Sequence, residues 1–423
     1  MTGNALGMIT GRVAAMGLGF LFWLLAAHVA PAREVGFAAA VVSAMMLCTQ
    51  FAQLGVGSAF ISLSPEHRQQ PGVLLDVALT VTALGSVLVA GVFLVAARAW
   101  LPELGQVTRA PSWTAAFLAM SVLGTAGIVL DQVNVALDRG FQVLTRTAAF
   151  GLLALIPLAV LPLAGLRTNA LLLFSFWVIA GIGALLAGLW QLSATTRPAP
   201  SPVAARPVRH RAYGYRYHPR WQPALVRRLL TVGLANHVLT LCERVPGLVL
   251  PVVVTELISA EANAVWYIVW MSAWVVFTAP VSMGIALFAA AANRPDTTTG
   301  ATATAVRTSL LYAGGGAVVL AVLAHPVLHL LGQQYAGAGV TPLRVLLLGV
   351  VPLAVISVYN AQCRARGRLG EAIAAGVVAG VAGVAVPVVV GMQHGLSGIA
   401  LAWVAVQAVV ACWAGARLWT AGR

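Results

Sequence analysis

Charge is scarce in this 423-residue chain: 9% of its residues are Asp, Glu, Lys or Arg, against about 25% in a soluble domain. With 60% hydrophobic residues and a mean hydropathy of +0.91, that shortage excludes an ordinary soluble fold. Lysine is missing altogether, so every basic side chain apart from histidine is Arg. Beside an excess of Ala, Gly and Val this reflects a GC-rich coding sequence and carries no functional meaning. Cysteine is limited to Cys48, Cys242, Cys363 and Cys412, with no CxxC or other metal spacing. That excludes a disulfide framework and leaves them as small packing residues. Also missing are a P-loop, a GxSxG elbow, an HExxH helix and any large loop to fold over a substrate. No enzyme is expected, and no catalytic residue, metal ligand or cofactor is assigned.

What is present is length without charge. Apolar runs of roughly 20–28 residues suit helices crossing a ~30 Å hydrocarbon core, and the short alternating segments of a membrane barrel do not occur. Spans are expected near 5–30, 36–62, 73–97, 113–137, 147–166, 170–193, 229–254, 262–291, 306–331, 342–361, 371–392 and 396–416. The expected fold is an all-α polytopic membrane protein of about twelve helices. The first span has no basic leader and no A-x-A site, so it is read as retained. An even number of spans puts both termini on one side. If that side is cytoplasmic, the outer loops hold only Arg33, Arg98, Arg109, Arg167 and Arg344, and nearly all other arginines lie inside. This bias is the positive-inside rule. It accounts for the net charge of +14 without a nucleic-acid partner, which would need a folded basic domain.

The longest loop, 194–228, divides the chain into lobes at 1–193 and 229–423. It starts rich in Pro and Arg and ends RAYGYRYHPRWQPALVRR, a pattern that reads as an extended linker fixing topology. The alternative is a patch for anionic headgroups over 206–228. The lobes also repeat. NALGMITGR at 4–12 and NHVLTLCER at 236–244 each begin with Asn and place Arg eight residues later. Two looser matches follow in the same order, VGFAAAVVSAMM with AVWYIVWMSAWV and LGVGSAF with VSMGIALF. Two six-helix lobes of the same orientation are related by a pseudo-two-fold axis along the membrane normal, around a central cavity.

Charge inside a span costs about 2.5–3.5 kcal/mol at the helix centre, so each such residue needs a partner or a task. Arg12 and Arg244 are expected to face each other across the pseudo-axis. Glu243 and Arg244 point about 100° apart on a helix, so each looks to another helix, to water or to a ligand. Asp131 is read as the only other carboxylate well inside a span. It either binds a coupling cation or proton, or sits in a structural ion pair with Arg12 or Arg244. Gln50, Gln53, Asn360 and Gln362 suit sugar hydroxyls or interhelical hydrogen bonds equally. His28, His325, His329 and His394 lie near outer span ends and are assigned nothing. Trp266, Trp270 and Trp274 recur at helical spacing; a lipid-facing aromatic belt is the commoner cause, sugar stacking the rarer. Gly376 and Gly380 form a GxxxG suited to close helix packing.

In order along the chain, Asn4 to Arg12, GFLFWLLAAHVAP, EVGFAAAVVS, LDQVNVALDRGFQVLTR at 130–146, LLGQQYAGAG at 330–339 and QCRARGRLG at 362–370 carry a resemblance. The chain resembles the Wzx-like oligosaccharide flippases, or polysaccharide biosynthesis proteins, of the multidrug/oligosaccharidyl-lipid/polysaccharide (MOP) exporter superfamily. The resemblance implies two lobes around a V-shaped, alternately opening cavity. It implies an undecaprenyl-pyrophosphate-linked oligosaccharide moved from the inner to the outer leaflet of a bacterial cell membrane. It also implies a monomer that serves cell-surface polysaccharide biosynthesis alongside polymerase machinery. On that basis Arg12 and Arg244 would hold the pyrophosphate, to which planar guanidinium is suited. Asn4, Asn236, His237, Gln50 and Gln53 would meet sugars, with Asp131 and Glu243 left as coupling groups or structural ion pairs.

Three rivals are weighed beside it. A cation-coupled drug antiporter of the same superfamily would want a carboxylate on the first helix, where Arg12 stands instead. A major-facilitator transporter would carry G-x-x-x-D-R-x-G-R-R after its second span, where residues 64–72 read SPEHRQQPG. A membrane glycosyltransferase or polymerase would need a sizeable outer loop, and the outer loops are short.

Overall fold

The structure is a computed structural model that describes residues 17–64, 66–67, 71–137, 139–164, 168–194, 217–293 and 298–421. The described residues are helical apart from turns and short connections, with no strand. In chain order the helices are α1 (Gly17–Val29), α2 (Ala32–Ala52), α3 (Val56–Leu63), α4 (Pro71–Trp100), α5 (Pro111–Ala136), α6 (Gly140–Val160) and α7 (Ala170–Ala194). After the linker come α8 (Pro223–Leu257), α9 (Ala260–Asn293), α10 (Thr298–His329), α11 (Gln333–Leu347), α12 (Val350–Ala365) and α13 (Leu369–Ala421). A 3₁₀ turn, Leu104–Thr108, joins α4 to α5.

Nine of these helices are long and apolar enough to cross a membrane, or ten with α11 and α12 taken as one span bent by 42°. The short α1 is apolar as well, and α13 is two helices broken at Gly395, whose φ of 61° is a conformation glycine adopts without penalty. The described helices thus form an all-α polytopic bundle of two lobes, with α1–α7 in the first and α8–α13 in the second.

Breaks and starts have local causes. The second span is interrupted between α2 and α3, where Leu54 (φ 47°) and Gly55 (φ 76°) are both left-handed. A non-glycine residue there costs roughly 1–2 kcal/mol. Pro111 and Pro223 open α5 and α8 at the position where a missing N–H is harmless. The linker is therefore shorter than the loop boundary expected at 228, because α8 already begins at Pro223. At the opposite end of the bundle the carboxylate of Glu34 accepts the Ala170 N–H at 2.7 Å, which satisfies an orphan donor in the first turn of α7.

The cores show how the lobes meet. At the end remote from the linker, and through the middle, one hydrophobic core spans both lobes, from Trp23, Phe117 and Trp177 to Trp266, Phe277 and Trp403. Trp23 and Tyr267 touch across it with ring centroids 4.9 Å apart. Gly36 lies so close to Ala260 that a Cβ would overlap its backbone, and Asn263 Nδ2 donates to the Gly36 carbonyl at 2.8 Å. Towards the linker the core divides. One cluster belongs to the first lobe and includes Leu225, Val226 and Leu229 from the first turns of α8. Separate, smaller clusters form in the second lobe around Leu239 and Tyr359 and around Leu287 and Val358.

The tryptophans of α9 correct the expected lipid-facing belt. Trp266 and Trp270 are buried, and Trp270 packs edge-on against Trp403 at 5.1 Å. The reason is position: α9 is enclosed between α2 of one lobe and α12 of the other. Gly376 and Gly380 of α13 do lie against α8, where a Cβ on either would stand 3.0 Å from Leu239 or from the Cys242 carbonyl.

Candidate functional site

Leu239, Cys242 and Pro246 turn one stripe of α8 onto the glycines of α13. Glu243 and Arg244 fall off that stripe and are exposed, although they lie deep in a membrane span. Glu243 is answered from α12: its Oε1 accepts Asn360 Nδ2 at 2.9 Å and lies 3.9 Å from an Arg364 guanidinium nitrogen. Asn360 and Arg364 are one helical turn apart, so they share a face of α12. Arg364 is about a quarter exposed, while its Nε is buried without a hydrogen-bond partner among the described residues. The outcome is a polar group of two arginines, one glutamate and one asparagine on the linker-side half of the second lobe. A planar guanidinium here can take an anionic, multi-acceptor group in a forked geometry.

Of the residues expected to form the site, Arg12 and Asn4 lie outside the described residues, as does the side chain of Asn236. His237 is buried, and its Nε2 meets the Gln50 carbonyl of α2 at 2.8 Å. Gln50 and Gln53 are buried at the same joint between lobes. Gln53 Nε2 has no hydrogen-bond partner among the described residues. These three residues therefore sit at the contact between α2 and α8.

Asp131 belongs to a different constellation. Arg146 of α6 donates to it twice, with Nε to Oδ1 at 2.7 Å and Nη2 to Oδ2. The Arg146 side chain passes between two glycines. A Cβ on Gly127 of α5 would stand 2.9 Å from Nη1, and one on Gly188 of α7 would stand 3.1 Å from Cδ. Arg146, expected in a loop, is thus inside the first lobe, and it stands where Arg12 or Arg244 was expected as the partner of Asp131.

A further acid within a span is Asp76. It is 3% exposed on α4, so Asp131 and Glu243 are not the only acids within spans. Arg220 Nε lies 3.2 Å from its Oδ2, and the His218 N–H donates to its Oδ1 at 3.2 Å. Thr80, one turn on, meets the Tyr217 hydroxyl at 2.9 Å and accepts the Arg220 N–H at 3.2 Å. Arg228 pairs with Glu66. In the described part of the basic–aromatic segment, Arg220 and Arg228 therefore each pair with a protein carboxylate while staying about half exposed. The available signal was one lone acid in the apolar run PGVLLDVALT.

No family model and no curated protein matches the sequence. Solved structures do match its fold. The inward-facing conformation of a multidrug resistance MATE family transporter of the MOP superfamily aligns over 98% of each chain, with a TM-score of 0.70 at 13% identity. The lipid II flippase MurJ, in an inward closed conformation, aligns over 96% of this chain and 86% of its own, with a TM-score of 0.69 at 13% identity. A MOP superfamily transporter from Pyrococcus furiosus, described as having a binding pocket of reverse polarity, aligns over 98% of this chain and 94% of its own, with a TM-score of 0.62 at 14% identity. The chain has the fold of MOP superfamily transporters, a fold that serves both drug transport and lipid II flipping.

Proposed function

We propose that this protein is a flippase for a polyprenyl-pyrophosphate-linked oligosaccharide. It would work by alternating access in a bacterial cell membrane, from the inner to the outer leaflet, in support of cell-surface polysaccharide synthesis. The arginine bias of the loops supports a cytoplasmic position for the linker and both termini. The observation that carries the reading is the Arg364 guanidinium beside the carboxylate of Glu243, on the half of the bundle where the lobes have separate cores. A pyrophosphate entering there would meet Arg364, whose Nε has no hydrogen-bond partner among the described residues, with Arg244 on the neighbouring face of α8. Arg12 would add a third guanidinium by the repeat between the lobes, and the undivided remote core would hold the far side closed.

A cation-coupled drug antiporter is the second reading, favoured by the MATE structures. It needs a carboxylate that exchanges its cation. Glu243 is held by Asn360 beside Arg364, and Asp131 is bound twice by Arg146, which favours the anionic substrate. The test is transfer of a fluorescent polyprenyl-pyrophosphate sugar between leaflets of proteoliposomes. Arg244→Ala and Arg364→Ala are each expected to slow transfer at least tenfold, with Lys in either place recovering part of it. Normal transfer by both Ala variants, or export of a cationic dye against a proton gradient with no lipid moved, overturns the proposal.

A further inference from the structure

Leu84, Leu88, Val92 and Val95 of α4 are 56%, 68%, 61% and 72% exposed. Their spacing of three and four residues makes a single lipid-facing stripe. Continued by the same spacing, the stripe arrives at Arg98 and Ala99 at the remote end of the helix. There a cavity of about 590 Å³ opens between the end of α4 and the 3₁₀ turn, lined by Arg98, Trp100, Pro102, Thr108 and Arg109 among others. Trp100 is 78% exposed, as suits an indole at the level of the headgroups.

The lining of this cavity includes two arginines and no carboxylate. Among the described residues, neither the Arg98 nor the Arg109 guanidinium has an ion-pair or hydrogen-bond partner. The acid of the loop, Glu103, does not line the cavity, and its Oε2 accepts Gln106 Nε2 at 2.9 Å. Arginine is sparse at this end of the protein, and Arg344, another of that small set, donates its Nε to the Ala321 carbonyl at 3.0 Å. Two arginines that line one cavity beside a lipid-facing stripe, without an ion-pair partner among the described residues, call for an anion.

The walls are also fixed. Glu256 of α8 accepts the Glu103 N–H at 3.1 Å and the Leu104 N–H at 2.7 Å. Gly105 sits so near α4 that a Cβ would stand 3.0 Å from the Ala97 carbonyl. The shape thus precedes any ligand, which lowers the ordering cost of binding.

We infer that this cavity binds the anionic, phosphate-bearing headgroup of a membrane lipid, with the acyl chains lying along the α4 stripe. Arg98 and Arg109 take the phosphate oxygens in forked, charge-assisted hydrogen bonds, and Trp100 covers the glycerol or first isoprenoid region. The site lies in the leaflet remote from the linker and does not rest on the flippase reading. Its phosphate has two sources, a glycerophospholipid or a polyprenyl phosphate, and the probes below separate them.

The experiment is native mass spectrometry of the full chain released from detergent, with phosphatidylglycerol, phosphatidylcholine or undecaprenyl phosphate added in turn. Wild type is expected to retain at least one anionic lipid severalfold better than phosphatidylcholine. The double variant Arg98→Gln/Arg109→Gln is expected to lose at least fivefold of that retention. Both side chains are exposed, so folding should survive; each single variant, expected to lose a smaller share, provides the same readout if the double does not express. Arg366→Gln, at the linker end, is expected to change nothing. Preference for phosphatidylglycerol assigns the site to glycerophospholipid, and preference for undecaprenyl phosphate assigns it to the polyprenyl carrier. Equal retention by wild type and the arginine variants, equal binding of phosphatidylcholine, or an equal loss in Arg366→Gln each overturns the inference.

Discussion

Gly55 of the first lobe and Gly233 of the second meet backbone to backbone, each so close that a Cβ on one would overlap the carbonyl of the other. Beside them His237 reaches the Gln50 carbonyl, and the first turns of α8 enter the first lobe's core. The linker-side joint between the lobes is therefore made by backbone proximity, with little side-chain volume to yield.

Gly233→Ala inserts a methyl group into that joint. Overpacking of a close contact costs about 1–3 kcal/mol, and the opposing atoms here are main chain. The variant is expected to melt several degrees below wild type in detergent, while Gly91→Ala, whose Cβ would meet open space, should shift the midpoint far less. Equal melting of the two would mean that the lobes do not touch at this point.

The Asp131–Arg146 pair predicts strong non-additivity. Removing one partner of a buried pair costs roughly 3–5 kcal/mol, because it strands the other charge. The side chains are 22% and 10% exposed, so the loss for Arg146→Leu should fall toward the lower end of that range. The double variant Asp131→Leu/Arg146→Leu should be more stable than either single variant in a double-mutant cycle. If the two single losses simply add, the pair is not coupled.

Asp76 fastens the segment 217–220 to α4. Arg220 is 43% exposed, so the ion pair itself contributes about 1 kcal/mol or less, whereas the buried carboxylate needs its donors. Asp76→Ala should therefore leave global melting nearly unchanged and speed tryptic cleavage after Arg220 severalfold. Unchanged cleavage kinetics would show that the segment is held by something other than Asp76.

Glu243→Gln removes the negative charge beside Arg364 and keeps an oxygen for Asn360. On the flippase reading the variant should bind polyprenyl pyrophosphate severalfold more tightly, with a steeper loss of affinity as salt is added. Weaker binding would mean that Glu243 touches the substrate as a partner and not as the counter-ion of Arg364.

Much of the architecture could be read from composition. Long apolar runs and sparse charge give the helical spans, because each reflects the bilayer as solvent. What escaped were features decided by tertiary packing. The left-handed pair Leu54–Gly55 breaks the second span, and only the approach of Gly233 shows why a glycine stands there. Trp270 looked like an interfacial residue until α9 proved to be enclosed, with Trp403 against it. Glu243 was recognisable as a charge in need of an answer, but Arg364 is brought to it by packing of α8 near α12, more than a hundred residues later in the chain. Arg146 was placed in a loop because its span was started too late, whereas α6 begins at Gly140.

The division of α8 between two cores has a mechanical consequence. Its first turns are embedded in one lobe, and its later turns lie against α13 of the other, so the helix acts as a leaf spring clamped in both jaws of a vice. A swing of the lobes at the linker end would then appear as curvature in α8 or as release of a clamp. Pro246 and Pro251, each lacking a hydrogen bond to the preceding turn, make its remote half the compliant part. Arg244 sits next to that flexure, two residues before Pro246.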